Sequence, residues 1–216
     1  MGARQPRPAA LAHKDDRDDR FTITGQWLLP DPAFEPDEAL RAYLDDGPPP
    51  VYLGFGSTPL VPRLRRFLRV LFAGLEGRRV LLSSGWAGLA EEDLPAHVHP
   101  VGFLPHDWLF PRCAALVHHC GAGTTHAAVR AGVPSIPAPF AMDQPFWADR
   151  LVRLGVASRP LDPGTATADD VRAALREVET PAVRQACARG AAAIATEDGV
   201  AVAVRALERL ARPAIA

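Results

Sequence analysis

The sequence predicts an α/β domain built on a doubly wound, Rossmann-like parallel sheet, and three observations carry that expectation. Short apolar runs at 51–55, 79–82 and 115–118 lack the strict alternation of a half-exposed strand, as strands covered on both faces do. Segments of helical spacing lie between such runs, as at 62–75, where Leu64, Phe67, Leu68 and Leu71 share one face. Glycine-rich turns follow two of the runs, at Gly54-Phe55-Gly56 and Gly121-Ala122-Gly123, and in an open parallel sheet such turns are where ligands bind.

The elements follow in order. Residues 1–20 mix charge with proline and offer little to bury, so they read as a solvated, flexible tail, and the domain proper is expected over 21–216. A β-prone run, Phe21-Thr22-Ile23-Thr24, leads through the apolar Trp27-Leu28-Leu29 into a proline-rich linker at 30–36. Residues 37–44 form a short helix with Asp37 at its N-cap, ended by the glycine and prolines of 47–50. Strands are then expected at 51–55, 79–82, 98–103, 115–118 and 133–136, with helices at 62–75, 124–131 and 145–154. From 167 onward the pattern is helical, broken at Thr180-Pro181 and Asp198-Gly199.

Composition excludes several functions. With 24 basic and 25 acidic side chains in 216 residues the net charge is −1, which gives no footprint for nucleic acid. No apolar run reaches the length of a membrane span, and no signal-peptide pattern opens the chain. Cys113, Cys120 and Cys187 are an odd number, expected as reduced thiols in a cytoplasmic protein. The histidines at 97, 99, 106, 118, 119 and 126 lack the spacing of a zinc site, so no metal is expected.

Three turns carry chemistry. Gly54-Phe55-Gly56-Ser57-Thr58 lets backbone N–H groups approach an anion and adds two hydroxyls; it reads equally as a plain strand-to-helix turn. His118-His119-Cys120-Gly121-Ala122-Gly123-Thr124-Thr125 delivers imidazole, then glycines, then hydroxyls to the start of a helix, a setting in which a phosphate meets free N–H groups and the positive end of the helix dipole. No Gly-Lys-Ser/Thr follows, which excludes a Walker A loop, and the third glycine of a dinucleotide fingerprint is missing. His118 is expected to face the core or the loop rather than the phosphate. At the third turn, Asp143 and Gln144 stand where a helix begins; Asp143 reads as an N-cap, or with Gln144 as a pair able to hold vicinal sugar hydroxyls.

Taken together, His119, Gly121-Ala122-Gly123-Thr124, Gly132-Val133-Pro134, Pro139 and Asp143-Gln144 resemble the nucleotide-sugar signature of the UDP-glycosyltransferases, with a likeness to the bacterial antibiotic and sterol-type enzymes. The likeness runs from about Phe21 to Leu210, with Gly54 to Ser57 in the expected place. It implies the C-terminal half of a GT-B enzyme, two Rossmann-like domains facing each other, with a UDP- or dTDP-sugar held by this half. By that resemblance Ser57 and His119 contact the pyrophosphate, and Gly121, Gly123 and Thr124 cradle it. Phe103 stacks on the nucleobase, the Leu104 backbone reads its edge, and Trp86 lies in a loop near it. Asp143 and Gln144 bind the sugar hydroxyls, with Phe140 bordering that pocket.

The resemblance further implies an inverting hexosyl transfer to a hydroxyl of a lipid or natural product, without a cofactor or an obligatory metal. Two departures stand out: Cys120 where bacterial members carry glycine, and Ala127 where many carry a ribose-binding glutamate. The acceptor-binding half, with its general base, has no counterpart in these residues. An acceptor-domain polypeptide is therefore an expected partner, and a nucleotide-sugar-binding protein without transfer is the alternative.

Overall fold

The computed structural model describes residues 22–28, 33–56, 62–83 and 94–211. The expected tail at 1–20 and the candidates Ser57 and Trp86 lie outside them. Five parallel strands, β1 (Val51–Gly54), β2 (Val80–Ser83), β3 (Val98–Val101), β4 (Ala115–His118) and β5 (Ser135–Pro137), form one sheet in the order β3-β2-β1-β4-β5. The helices are α1 (Glu38–Asp45), α2 (Pro62–Gly74), α3 (His106–Leu109), α4 (Ala122–Ala131), α5 (Gln144–Arg153), α6 (Ala168–Val178), α7 (Pro181–Ile194) and α8 (Gly199–Ala211).

Strand parity divides the core. Val51, Leu53, Val80, Leu82, Ala115 and Val117 point to one face, where they meet Leu64, Phe67, Leu68 and Leu71 of α2 and Val171 and Leu175 of α6. Tyr52, Leu81 and Leu116 point to the other, against Leu40 of α1, Leu109, Phe110 and Ala128 of α4. Both faces are therefore covered, which is why β1 and β4 are buried at all four positions and read as unbroken apolar runs. A third cluster joins Val129 of α4 to Ala148 and Leu151 of α5 and Ala186 and Cys187 of α7.

Local chemistry sets the helix starts. Asp37 Oδ1 accepts from the Leu40 N–H at 2.7 Å, and Thr167 with Asp170 forms a reciprocal capping box on α6. Two expectations are corrected. Residues 22–28 form no strand; this segment lies along Gly199 at the start of α8 and is tied to α4 by Arg130, which donates to Gln26 Oε1 at 2.7 Å, so β propensity finds no strand to pair with. Residues 106–112, for which no element is expected, form α3 and a 3₁₀ turn between Pro105 and Cys113. Helix α4 begins two residues earlier than its spacing suggests, at Ala122.

The sheet order places the site. β1 lies between β2 and β4, so the chain winds in opposite directions on either side of the β1/β4 boundary, and the crevice beyond the carboxyl ends of those two strands is the switch point at which such sheets bind ligands. Gly54 and His118 are direct register partners across it. The first two glycine turns, 64 residues apart as counted from those partners, thus meet at one place.

Candidate functional site

The second turn builds the floor of this crevice. β4 ends at His118, Cys120 adopts a left-handed backbone (φ 64°), and Gly121 is the N-cap of α4 with no side chain capping the helix. The first-turn N–H groups of α4 are thereby left without a side-chain cap, and no acidic residue sits among them. Beside them is an open cavity of about 440 Å³ lined by His119, Gly121, Ala122, Gly123 and Thr124, with Gly56 from the first turn.

His119 occupies the space between the two turns. A Cβ on Gly121 would lie 2.6 Å from its Nε2, and one on Gly56, itself at φ +55°, would lie 3.0 Å from its Cε1. A side chain at either place would displace the ring from between the turns. Burial holds the His119 pKa below the ordinary histidine value, while the Gly54 carbonyl and the Asp143 carboxylate offset part of that shift. In contrast, a Cβ on Gly123 would meet nothing within 4 Å; it would point into open space.

Phe103 lines the cavity and is 90% exposed, a free aromatic face at the rim. Leu104 follows it and packs its side chain against the core on the α4 side of the sheet. Asp143 and Gln144 do not line the cavity. Asp143 makes no side-chain cap of α5; its Oδ2 accepts from Trp147 Nε1 at 2.7 Å, although its charge is felt at His119. Gln144 Oε1 accepts from the N–H groups of Phe140 and Ala141 at 2.7 and 3.1 Å, which fixes the loop before α5. Phe140 packs edge-on against Phe55 and Phe67.

The cavity wall also contains Leu28, His106, Asp107 and Arg130, none of them expected from the sequence. Arg130 is ion-paired with Asp107, and His106 stacks on Phe110 with ring centroids 4.3 Å apart. The spacing of Gly123, Ala127 and Arg130 along α4 puts them on one helical face and could have flagged the arginine; Leu28 comes from a distant segment and left no such signal. Among the described residues no group of three or more His, Cys, Asp or Glu side chains gathers as a metal site. Among them, too, no helix is long and apolar enough to cross a membrane.

A family model for the erythromycin biosynthesis protein CIII-like, C-terminal domain matches residues 85–210, more than half of the chain and all of the β4–α4 turn. The chain belongs to that family. It is 45% identical over 185 residues to vancomycin aglycone glucosyltransferase of Amycolatopsis orientalis, a match covering 85% of this chain and 44% of the relative. A sterol 3-beta-glucosyltransferase of Arabidopsis thaliana is 36% identical over 180 residues, covering 82% of this chain and 29% of the plant protein.

Among solved structures, the glycotransferase of kitacinnamycin superposes with a TM-score of 0.64 at 28% identity, covering 93% of this chain and 47% of that one. Glycosyltransferase VinC, determined in complex with DTDP, gives 0.60 at 28% identity, covering 81% and 45%. These neighbours are GT-B glycosyltransferases. The chain spans less than half the length of each of these relatives, as expected of a C-terminal donor half of such an enzyme.

Proposed function

We propose that this domain binds the nucleotide-sugar donor of an inverting hexosyl transfer, with UDP or dTDP as the nucleotide. The observation that carries the reading is the start of α4, without a side-chain cap and opening on a cavity with His119 held between two glycine turns. A pyrophosphate there takes hydrogen bonds from N–H groups at Gly121 and Gly123, from the Thr124 hydroxyl and from the His119 ring, with the Ser57 hydroxyl as a further donor. Phe103 stacks on the base and Leu104 reads its edge through the backbone, with Trp86 as a further contact of the base. Asp143 and Gln144 hold the sugar hydroxyls; Asp143 keeps one carboxylate oxygen clear of its Trp147 bond.

In the reaction an acceptor hydroxyl attacks the anomeric carbon while a base removes its proton. The bond from that carbon to the diphosphate oxygen breaks, and the electron pair leaves on the nucleotide. The fixed N–H dipoles and His119 stabilise that developing charge, a role that requires no metal and no cofactor. The base and the acceptor pocket belong to a second domain. That domain covers the exposed apolar stripe of α8, Val200, Val204, Leu207 and Leu210, together with Trp27. The relatives named for vancomycin aglycone and sterols support a hydroxylated natural product or lipid as acceptor. Three buried free thiols support a cytoplasmic setting.

A second reading is a nucleotide-sugar-binding protein that performs no transfer. Calorimetry with UDP and dTDP tests the site: at least one binds, and heat from neither refutes the assignment. Turnover of a UDP- or dTDP-sugar with a hydroxylated acceptor, measured with and without an added acceptor domain, separates enzyme from binding protein.

A further inference from the structure

His118 reaches no part of the cavity wall, yet it is fully buried and both ring nitrogens are engaged. Its Nδ1 lies 3.2 Å from the Cys120 backbone nitrogen. A backbone N–H can only donate, so Nδ1 carries a lone pair. The proton of the neutral ring is then on Nε2, where it donates to Ser135 Oγ at 3.0 Å. The His118 carbonyl accepts from the Ala138 N–H at 2.9 Å, so the residue is tied to the β5 strand at Ser135 and to the chain just beyond it. Burial drives the imidazole pKa down to about 3, which keeps this arrangement neutral.

The residue it holds is the unusual one. Cys120 has a side chain and a left-handed backbone, a combination that residues carrying a Cβ resist. Its thiol is buried and its N–H has its hydrogen bond in the His118 ring. The next residue, Gly121, caps α4, and the preceding one is His119. We infer that His118 is a positioning residue for the anion site: by accepting the Cys120 N–H it holds the left-handed turn that carries His119 and Gly121 to the cavity wall.

This rests on the diphosphate reading of the cavity, and the test separates the two. Affinity for UDP and dTDP is measured by calorimetry on the full chain for wild type, His118→Ala, His118→Asn and the double variant His118→Ala/Cys120→Gly. Removing the acceptor lets the strained left-handed turn relax away from the cavity wall, and roughly tenfold weaker binding is expected for His118→Ala. The double variant recovers to within about threefold of wild type, because glycine takes the left-handed conformation unaided. His118→Asn also stays within about threefold, since its amide oxygen can stand in for Nδ1. If His118→Ala does not fold, His118→Leu, which fills the space without an acceptor, replaces it with the same expectations, alone and with Cys120→Gly. Unchanged affinity in His118→Ala, no recovery on adding Cys120→Gly, or an asparagine variant as weak as the alanine one overturns the inference. Wild-type protein that binds neither nucleotide strikes the site reading instead.

Discussion

Helices α2 and α8 are both 13 residues long and both carry apolar side chains at helical spacing. On α2 the stripe of Leu64, Phe67, Leu68 and Leu71 is pressed into the sheet, with Leu68 1% exposed; on α8 the stripe ends in Leu207 at 62% and Leu210 at 83%. Periodicity thus reports that a helix has an apolar face and says nothing of what covers it. In one case the cover is the parallel sheet of the same domain. In the other, Leu207 and Leu210 stay exposed among the described residues, in a chain that spans less than half the length of its relatives.

The largest expected effect tests that contrast directly. Leu68→Ala opens a cavity beneath the sheet and should destabilise the protein by about 2–5 kcal/mol, whereas Leu207→Ala in the same background should change stability by no more than about 0.5 kcal/mol. Urea unfolding of the two variants measures both. Equal losses would mean that α8 is covered in solution. Leu207→Glu sharpens the point, since it should leave both nucleotide affinity and stability close to wild type.

A second substitution asks whether binding belongs to the covered part alone. A Cβ at Gly123 meets no neighbour, so Gly123→Val should fold with a melting temperature close to wild type while its branched side chain fills the space in front of α4. About a hundredfold loss of UDP or dTDP affinity is expected, on the order of 2.7 kcal/mol. Unaltered affinity would show that the anion lies elsewhere. Lost folding would show that the cavity is not open in solution.

Sequence made the covered part legible and the rest only in pieces. The runs at 51–55 and 115–118 announced strands because both faces of the sheet are buried, and the glycines after them announced turns. That the turns meet followed from neither; it comes from the pairing of Gly54 with His118, a long-range fact of strand order. The β-prone residues 22–24 were misleading because propensity describes a fit to a pleated neighbour, and this segment has a helix start beside it instead. Arg130 joins the cavity through partners at 26 and 107, too far apart for any local pattern. Adjacent histidines were separable only in part: parity puts His118 on the Leu116 face of β4, diagonal to Ser135 on β5, while His119 leaves the strand and turns into the crevice.

The first of those histidines adds to the acid limb of stability. His118, free to ionise at about 6.5 when unfolded, is held near 3 in the fold, so the unfolded chain binds the extra proton between those values and stability falls as pH drops through that window. From pH 7 to pH 5 the contribution is about 2 kcal/mol. Denaturation of wild type and His118→Asn at both pH values isolates it: the wild-type loss should exceed that of the variant by about this amount. Parallel losses would mean that His118 is not buried neutral.

The smallest effect concerns His119, on the cavity side. Its pKa lies below the ordinary value because of burial, so between pH 7 and 8 the ring of the free protein is neutral. A diphosphate placed against it favours the charged form and raises that pKa. Binding should therefore take up a fraction of a proton, and affinity should rise as pH falls from 8 to 7, a range in which the phosphate itself, with a second pKa of about 6, stays largely ionised. Calorimetry in buffers of different ionisation enthalpy counts the proton. His119→Asn should abolish the uptake and flatten the pH dependence, while a Leu207 substitution on α8 should leave both as they are. Proton uptake that persists in the asparagine variant would assign the linkage to another group and take the imidazole out of contact with the pyrophosphate.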